Sequence, residues 1–257
     1  MKRMVRSPST AAQLLVWFFY LYASTSPAAT WTNPLGGRWL DPGNWLNGVV
    51  PNSPNDTAIF NASEGNVFSV NILGNQSVTV GTLELNNAVG GGPSIISSPG
   101  TINLEGAAPT INVENHPVPP AVRSGVFVNI HLLNNATINT LEPDSLLNIE
   151  GLDFTGAAGV SLTKIGPGTL EFGPETAILL TGALNVQSGT TNIFNVLANA
   201  FYVGTTGSNL ARVGTLEIVK ATVNVSSAAC RLFPKHSHAY EILYTCPSAR
   251  QTGFGIK

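Results

Sequence analysis

From about Thr57 to Val225 the chain is a succession of short segments with apolar residues two apart, and this period constrains the fold more than any other feature. Val78-Thr-Val80, Leu83-Glu-Leu85, Ile102-Asn-Leu104 and Ile111-Asn-Val113 open the series, and Leu147-Asn-Ile149, Leu170-Glu-Phe172, Leu184-Asn-Val186, Leu216-Glu-Ile218 and Val223-Asn-Val225 continue it. A period of two sends alternate side chains to opposite faces of an extended chain. Each segment therefore reads as a short strand with one apolar face and Thr, Asn or Glu on the other. Gly, Asn, Ser or Pro interrupts every segment within a few residues, too soon for a helix of ordinary length. Composition agrees: 26 Gly, 25 Asn and 24 Thr favour strands and turns over helix interiors.

Short strands separated by turns fit a sandwich, a barrel or a solenoid. Hairpin signals are nearly absent between the segments, since Asn47-Gly48 lies upstream of them. The one-faced strands also recur evenly, with no central hydrophobic peak, as stacked coils require. The predicted fold is all-β, a parallel β-helix (β-solenoid), right-handed by the crossover rule. At about 22 residues per turn, the segment makes seven or eight turns.

Two regions depart from the pattern. Residues 29–60 hold Trp31, Trp39 and Trp45 among four prolines, and read as an N-terminal cap over an open end of the solenoid. Residues 227–257 contain no Asn and carry Arg231, Lys235, Arg250 and Lys257. They read as an irregular C-terminal tail in which 241–246 supplies one strand at most. The solenoid itself is assigned to 61–226.

Residues 1–28 read as a secretory signal. Lys2, Arg3 and Arg6 precede the apolar run 11–23, and Ser26 and Ala28 are small residues placed for cleavage after Ala28. The run is shorter than the roughly 20 residues of a spanning helix, so no stable membrane insertion is expected after cleavage. Without its first 28 residues the chain has nine basic and 14 acidic residues, a net charge of −5. A secreted or cell-surface protein with that balance lacks the electrostatic footprint of a nucleic-acid binder. Cys230 and Cys246 are equally readable as a disulfide or as two thiols.

The segment Ser161-Leu-Thr-Lys-Ile-Gly-Pro-Gly-Thr-Leu-Glu-Phe172, with Thr181-Gly182 and Leu184-Asn-Val-Gln-Ser-Gly-Thr190, resembles the autotransporter-associated β-strand repeat. Leu162, Lys164, Gly166, Gly168, Leu170, Gly182, Val186 and Gly189 fall on its characteristic positions, with Phe172 for the last Leu and Thr190 for the closing Leu. The Asn-x-Tyr usual before the middle Gly is absent. One repeat near 161–191 matches, and 203–225 is a looser coil of the same kind. Gly37-Arg-Trp-Leu-Asp-Pro-Gly-Asn-Trp45 resembles the start of exported β-helical proteins of planctomycete-like bacteria. The resemblance implies an exported passenger-type β-helix at the cell exterior, standing alone or a truncated piece of a longer protein. It implies no particular activity.

Glu142 and Asp144 flank Pro143, which favours a turn carrying solvated acids over a paired-carboxylate site; Glu150 and Asp153 follow. His236 and His238 have no second Cys pair at finger spacing. Gly166-Pro-Gly168 precedes no helix, so it is a turn and no phosphate cradle. No catalytic, cofactor-binding or metal-binding residue is assigned, and no cofactor. The leading expectation is a non-enzymatic, structural or adhesin-like surface protein whose partners are surface polysaccharide or other cell-surface proteins. One alternative is a carbohydrate-binding module using Trp31, Trp39 and Trp45. The other, resting on fold analogy alone, is a polysaccharide lyase or hydrolase.

Overall fold

A computed structural model describes residues 28–62, 67–87, 92–115, 124–150, 153–173 and 176–195, and short strands at 202–203, 212–213, 215–218, 221–227 and 242–245. Two short cap strands, β1 (Ala28–Thr30) and β2 (Gly37–Arg38), come first. Five complete turns of three faces follow. The first is β3 (Thr57–Ala62), β4 (Val67–Asn71) and β5 (Ser77–Val80), and the second is β6 (Thr82–Asn87) and the long β7 (Gly92–Leu104). The third is β8 (Thr110–Asn115) and β9 (Ser124–Leu132), and the fourth β10 (Ala136–Thr140), β11 (Leu146–Ile149) and β12 (Asp153–Gly156). The fifth is β13 (Leu162–Ile165), β14 (Thr169–Phe172) and β15 (Ala177–Leu179). β7 and β9 each run around a corner and supply both the second and third faces of their turns.

Every pairing between these strands is parallel, and none is a hairpin. The stack continues with β16 (Ala183–Val186) and β17 (Gly189–Asn195), then β18 (Tyr202–Val203), β19 (Arg212–Val213), β20 (Thr215–Ile218) and β21 (Ala221–Ser227). A last strand, β22 (Ile242–Thr245), pairs in parallel with β21. The rest of 227–257, with Cys230, Cys246, His236 and His238, lies outside the described residues. So do residues 1–27, most of the segment that the sequence leads one to expect as a signal.

The parallel β-helix expected from period two is therefore the fold, but most of its turns are longer than the estimate of 22. Thr57, Thr82, Thr110, Thr137 and Thr163 are register partners in succession, giving steps of 25 to 28 residues. Some steps are shorter, 23 from Leu146 to Thr169, 21 from Thr169 to Thr190 and 24 from Asp153 to Ala177, and the step from Leu162 to Leu184 inside the repeat-like segment is 22. The extra residues sit in corners, which the strand period does not report.

Inward rows fill the core. On the first face Ala58, Leu83, Ile111 and Ile138 stack in register, and all are fully buried. On the third, Val78, Ile102, Ile130, Phe154 and Ile178 do the same. Each turn buries its inner face only against its neighbours, as a solenoid must. The abundant Asn has a job at the corners. Asn52, Asn55 and Asn135 accept through Oδ1 from the backbone N–H groups of Thr79, Ala107 and Ser161, at 2.9, 2.8 and 2.9 Å. Ala107 and Ser161 stand at corners and Thr79 on the unpaired edge of β5, so backbone that no ladder satisfies is paired by Asn from another part of the stack.

Candidate functional site

Three places hold side chains whose chemistry exceeds packing. The first is the cap. β1 stacks on β3 and β2 on β4, so the segment before the first turn covers its open edge on two faces. Trp31 packs edge-on to Trp45 (5.1 Å between ring centroids), Trp39 lies 5.3 Å from Trp45, and all three surround Phe60. Their exposures are 5, 0 and 2% for Trp31, Trp39 and Trp45. Each indole N–H donates to a backbone carbonyl: Trp31 to Asn33, Trp39 to Pro51 and Trp45 to Trp39. A sugar ring stacks on an exposed aromatic face, and these three offer none; they are the plug of the solenoid.

The second is the corner between the fifth and sixth turns. Lys164 sits on the inner side of β13, in register between Ile138 and Val186, and is completely buried. Its stem takes the place of an aliphatic residue. The adjacent inward row runs Phe60, Leu85, Val113 and Thr140, shrinking along the stack. Room for the ammonium is left at Gly189 of the next turn, where a Cβ would come within 2.9 Å of Nζ. Nζ donates to the carbonyls of Ile165 (2.8 Å), Gly166 (2.9 Å) and Ser188 (3.1 Å), three acceptors for three N–H bonds. Burial pulls its pKa down from 10.5 to about 8. The folded chain thus holds the proton less tightly than the unfolded one. The contribution of Lys164 to stability is lowest below pH 8 and rises between pH 8 and 10.5. Thermal unfolding across that window, compared with Lys164→Met to cancel other titrating groups, is expected to show this rise in the parent only.

Lys164 was legible as a repeat residue, not as a core residue. The signal was there: it stands two positions after Leu162, on the inner phase of the alternation. Nearby, Thr191 faces inward between Leu170 and Val223, and its hydroxyl has no hydrogen-bond partner. Thr191→Val keeps the shape and removes an unpaired polar atom. It should raise unfolding free energy by about 1 kcal/mol, read by denaturant titration.

The third place is the outer side of the third face, where Thr79, Asn103, His131, Thr155 and Leu179 form one register row. His131 Nδ1 is 2.7 Å from Thr155 Oγ1, a hydroxyl–imidazole contact that sequence reading did not find because 24 residues separate the pair. The row lies on an open sheet face.

The acids weighed from sequence do not converge. Glu142, Pro143, Asp144 and Ser145 form a turn closed by Ser145 N–H donating to the Glu142 carbonyl, with Pro143 at its tip. Glu150 accepts from Asn148 on the second face, and Asp153 is exposed on the third. Among the described residues, no three of His, Cys, Asp and Glu come together as metal ligands. No helix in this part of the chain is long and apolar enough to cross a membrane.

Of the four glycines on the repeat's positions, Gly166, Gly168, Gly182 and Gly189, the first and last have left-handed backbone, with φ of +82° and +71°. A Cβ on Gly182 or Gly168 would strike backbone carbonyl oxygens, of Val160 and Ser145 respectively.

The class these features define is a capped parallel β-solenoid. Comparison with protein-family models, with curated proteins and with solved structures found no match in any of the three.

Proposed function

We propose that the chain is an exported, non-enzymatic β-solenoid that serves as a structural or adhesin-like passenger protein at the cell surface or in the surrounding matrix. The observation that supports this most is the regular outer surface of the stack. Five threonines, from Thr57 through Thr163, form one outward row on the first face, beside rows that include Asn61 and Asn86 and Glu84 and Asn112. Two pairs of those outer side chains bond across turns, Asn86 to Asn61 and Asn112 to Glu84. The basic–apolar–small order of residues 1–28 and the resemblance of 161–191 to the autotransporter-associated repeat support export in the same direction. Surface polysaccharide or another surface protein is the partner class such a wall suits.

Cleavage after Ala28 would leave Ala29, a buried residue of β1 paired with Ala58, as the new N-terminus at the edge of the cap. Expression of the full chain with fractionation and intact-mass measurement tests the reading. A product outside the cytoplasm that begins at Ala29 or Thr30 is expected. A cytoplasmic product that keeps Met1 contradicts it.

A further inference from the structure

Two phenylalanines stand on the outer side of the second face. Phe127 alternates with the buried Val126 and Val128 and is half-buried, and Phe194 follows the buried Ile193 with 37% of its surface exposed. Every other Phe, Tyr or Trp side chain that the structure describes is buried. The two belong to one row. Val126, Ile149, Phe172 and Ile193 are register partners in succession, so the next place on each strand gives Phe127, Glu150, Gly173 and Phe194. Three strand steps set the rings about 14 Å apart along the stack.

The backbone beneath is shaped to these side chains. A Cβ on Gly125 would collide with the Phe127 ring, so the ring lies back over bare glycine backbone instead of standing away from the sheet. A Cβ on Gly173 would meet Cβ and Cγ of Glu150, which leans over that position toward Phe194. The Glu150 carboxylate accepts from Asn148 Nδ2 and that of Glu171 from Asn192 Nδ2, both at 3.1 Å. Asn148, Glu171 and Asn192 are register partners in the neighbouring outward row. Two acids and two amides therefore lie beside the line from ring to ring. The strands β9, β11, β14 and β17 that carry them hold no Lys or Arg.

We propose that this row is a binding track for a linear glycan of hydroxyl- and amine-bearing sugars, with Phe127 and Phe194 as stacking platforms and Glu150 and Glu171 as polar contacts between them. The proposal rests on the reading of the chain as a surface protein, and names the site and the sugar chemistry for a polysaccharide partner. A sugar ring sets an apolar C–H face on an aromatic ring and leaves its polar groups at the rim. Carboxylates accept from hydroxyl and ammonium groups, and amides both donate and accept. A sugar ammonium near a ring adds a cation–π attraction, whereas uronate or sulfate groups would meet like charge. The four strands are paired on both sides, so an extended peptide finds no free edge here to lengthen the sheet. The occupant meets side chains alone, and the cap tryptophans take no part.

Calorimetric titration of the full chain with a glucosamine hexamer tests the track, in a mildly acidic buffer that keeps the sugar amines charged. Binding is expected, and Phe127→Ala and Phe194→Ala should each weaken it about tenfold. Both side chains are on the outer wall, so the fold survives their truncation. Gly125→Ala should weaken binding as well, because the new methyl takes the seat of the Phe127 ring. A galacturonate hexamer should not bind. The proposal is overturned if the parent does not bind the glucosamine hexamer, or if binding survives both Phe variants unchanged. An equal affinity for the galacturonate hexamer overturns it too, as does an equal affinity for hexalysine, which would make this face a site for basic peptide. Fractionation reads export separately: a cytoplasmic product contradicts export and leaves the titration result standing, while failed binding leaves export standing.

Discussion

Trp39→Ala is expected to lower the unfolding free energy by about 3–5 kcal/mol, among the largest losses any single substitution in the described chain should cause. Trp39 has no exposed surface, stands 5.3 and 5.4 Å from the rings of Trp45 and Phe60, and donates its indole N–H to Pro51. Truncation removes ring area from water-free contact, opens a void that two neighbouring rings cannot close, and orphans the Pro51 carbonyl. The damage should be local at first. Turns hold only their neighbours, so the exposed edge of the first turn should fray while the fifth is unaffected. Urea unfolding gives the total, and exchange in peptides from 57–62 and 67–71 gives the location. Trp39→Phe should fall between parent and Ala variant. A loss under about 1 kcal/mol for Trp39→Ala would mean that the aromatic group is not the plug.

Gly189→Val should cost a comparable amount, about 3 kcal/mol or more, for a different reason. The left-handed φ of +71° alone costs a β-branched residue about 1–3 kcal/mol. A Cβ there would also run into the carbonyl oxygens of Gly168 and Gly166, and would come within 2.9 Å of Lys164 Nζ. Those carbonyls are part of the backbone that holds the ammonium, so the substitution strains the corner and loosens the cage together. Gly166→Val meets the Thr140 carbonyl in the same way and has φ of +82°. Melting temperatures of both variants check this; values equal to the parent's would refute a structural role for these glycines. Asn47→Gly is the useful contrast. Asn47 is also left-handed, at φ 57°, but exposed on the cap turn, so the change should be nearly silent.

The fold was legible because its signal is repeated. Leu83-Glu-Leu85, Ile111-Asn-Val113 and Leu184-Asn-Val186 each report the same inner face, and a tally of such strands without hairpin turns points to parallel stacking. The length of a turn was not legible, since corners such as 105–109 and 141–145 have no period and differ from turn to turn. Trp31, Trp39 and Trp45 were readable as a cap from their crowding, whereas the carbonyl each indole bonds depends on chain crossings that no local spacing shows. The caged Lys164 illustrates a further limit. Alternation places it inside, yet only the neighbouring turn reveals why a charge is tolerated there, because the Ser188 carbonyl arrives from 24 residues away. His131 and Thr155 meet for the same reason, across the stack.

The central claim, in-register parallel turns stacked from the cap onward, is tested most directly by one distance. Thr57 and Thr163 stand in the same outward row, four turns apart. Spin labels on Thr57→Cys and Thr163→Cys, with Cys230 and Cys246 replaced by Ser, should give a narrow distribution near 19 Å by pulsed electron resonance, four steps of about 4.8 Å. A broad distribution, or one centred beyond about 30 Å, would contradict the stack.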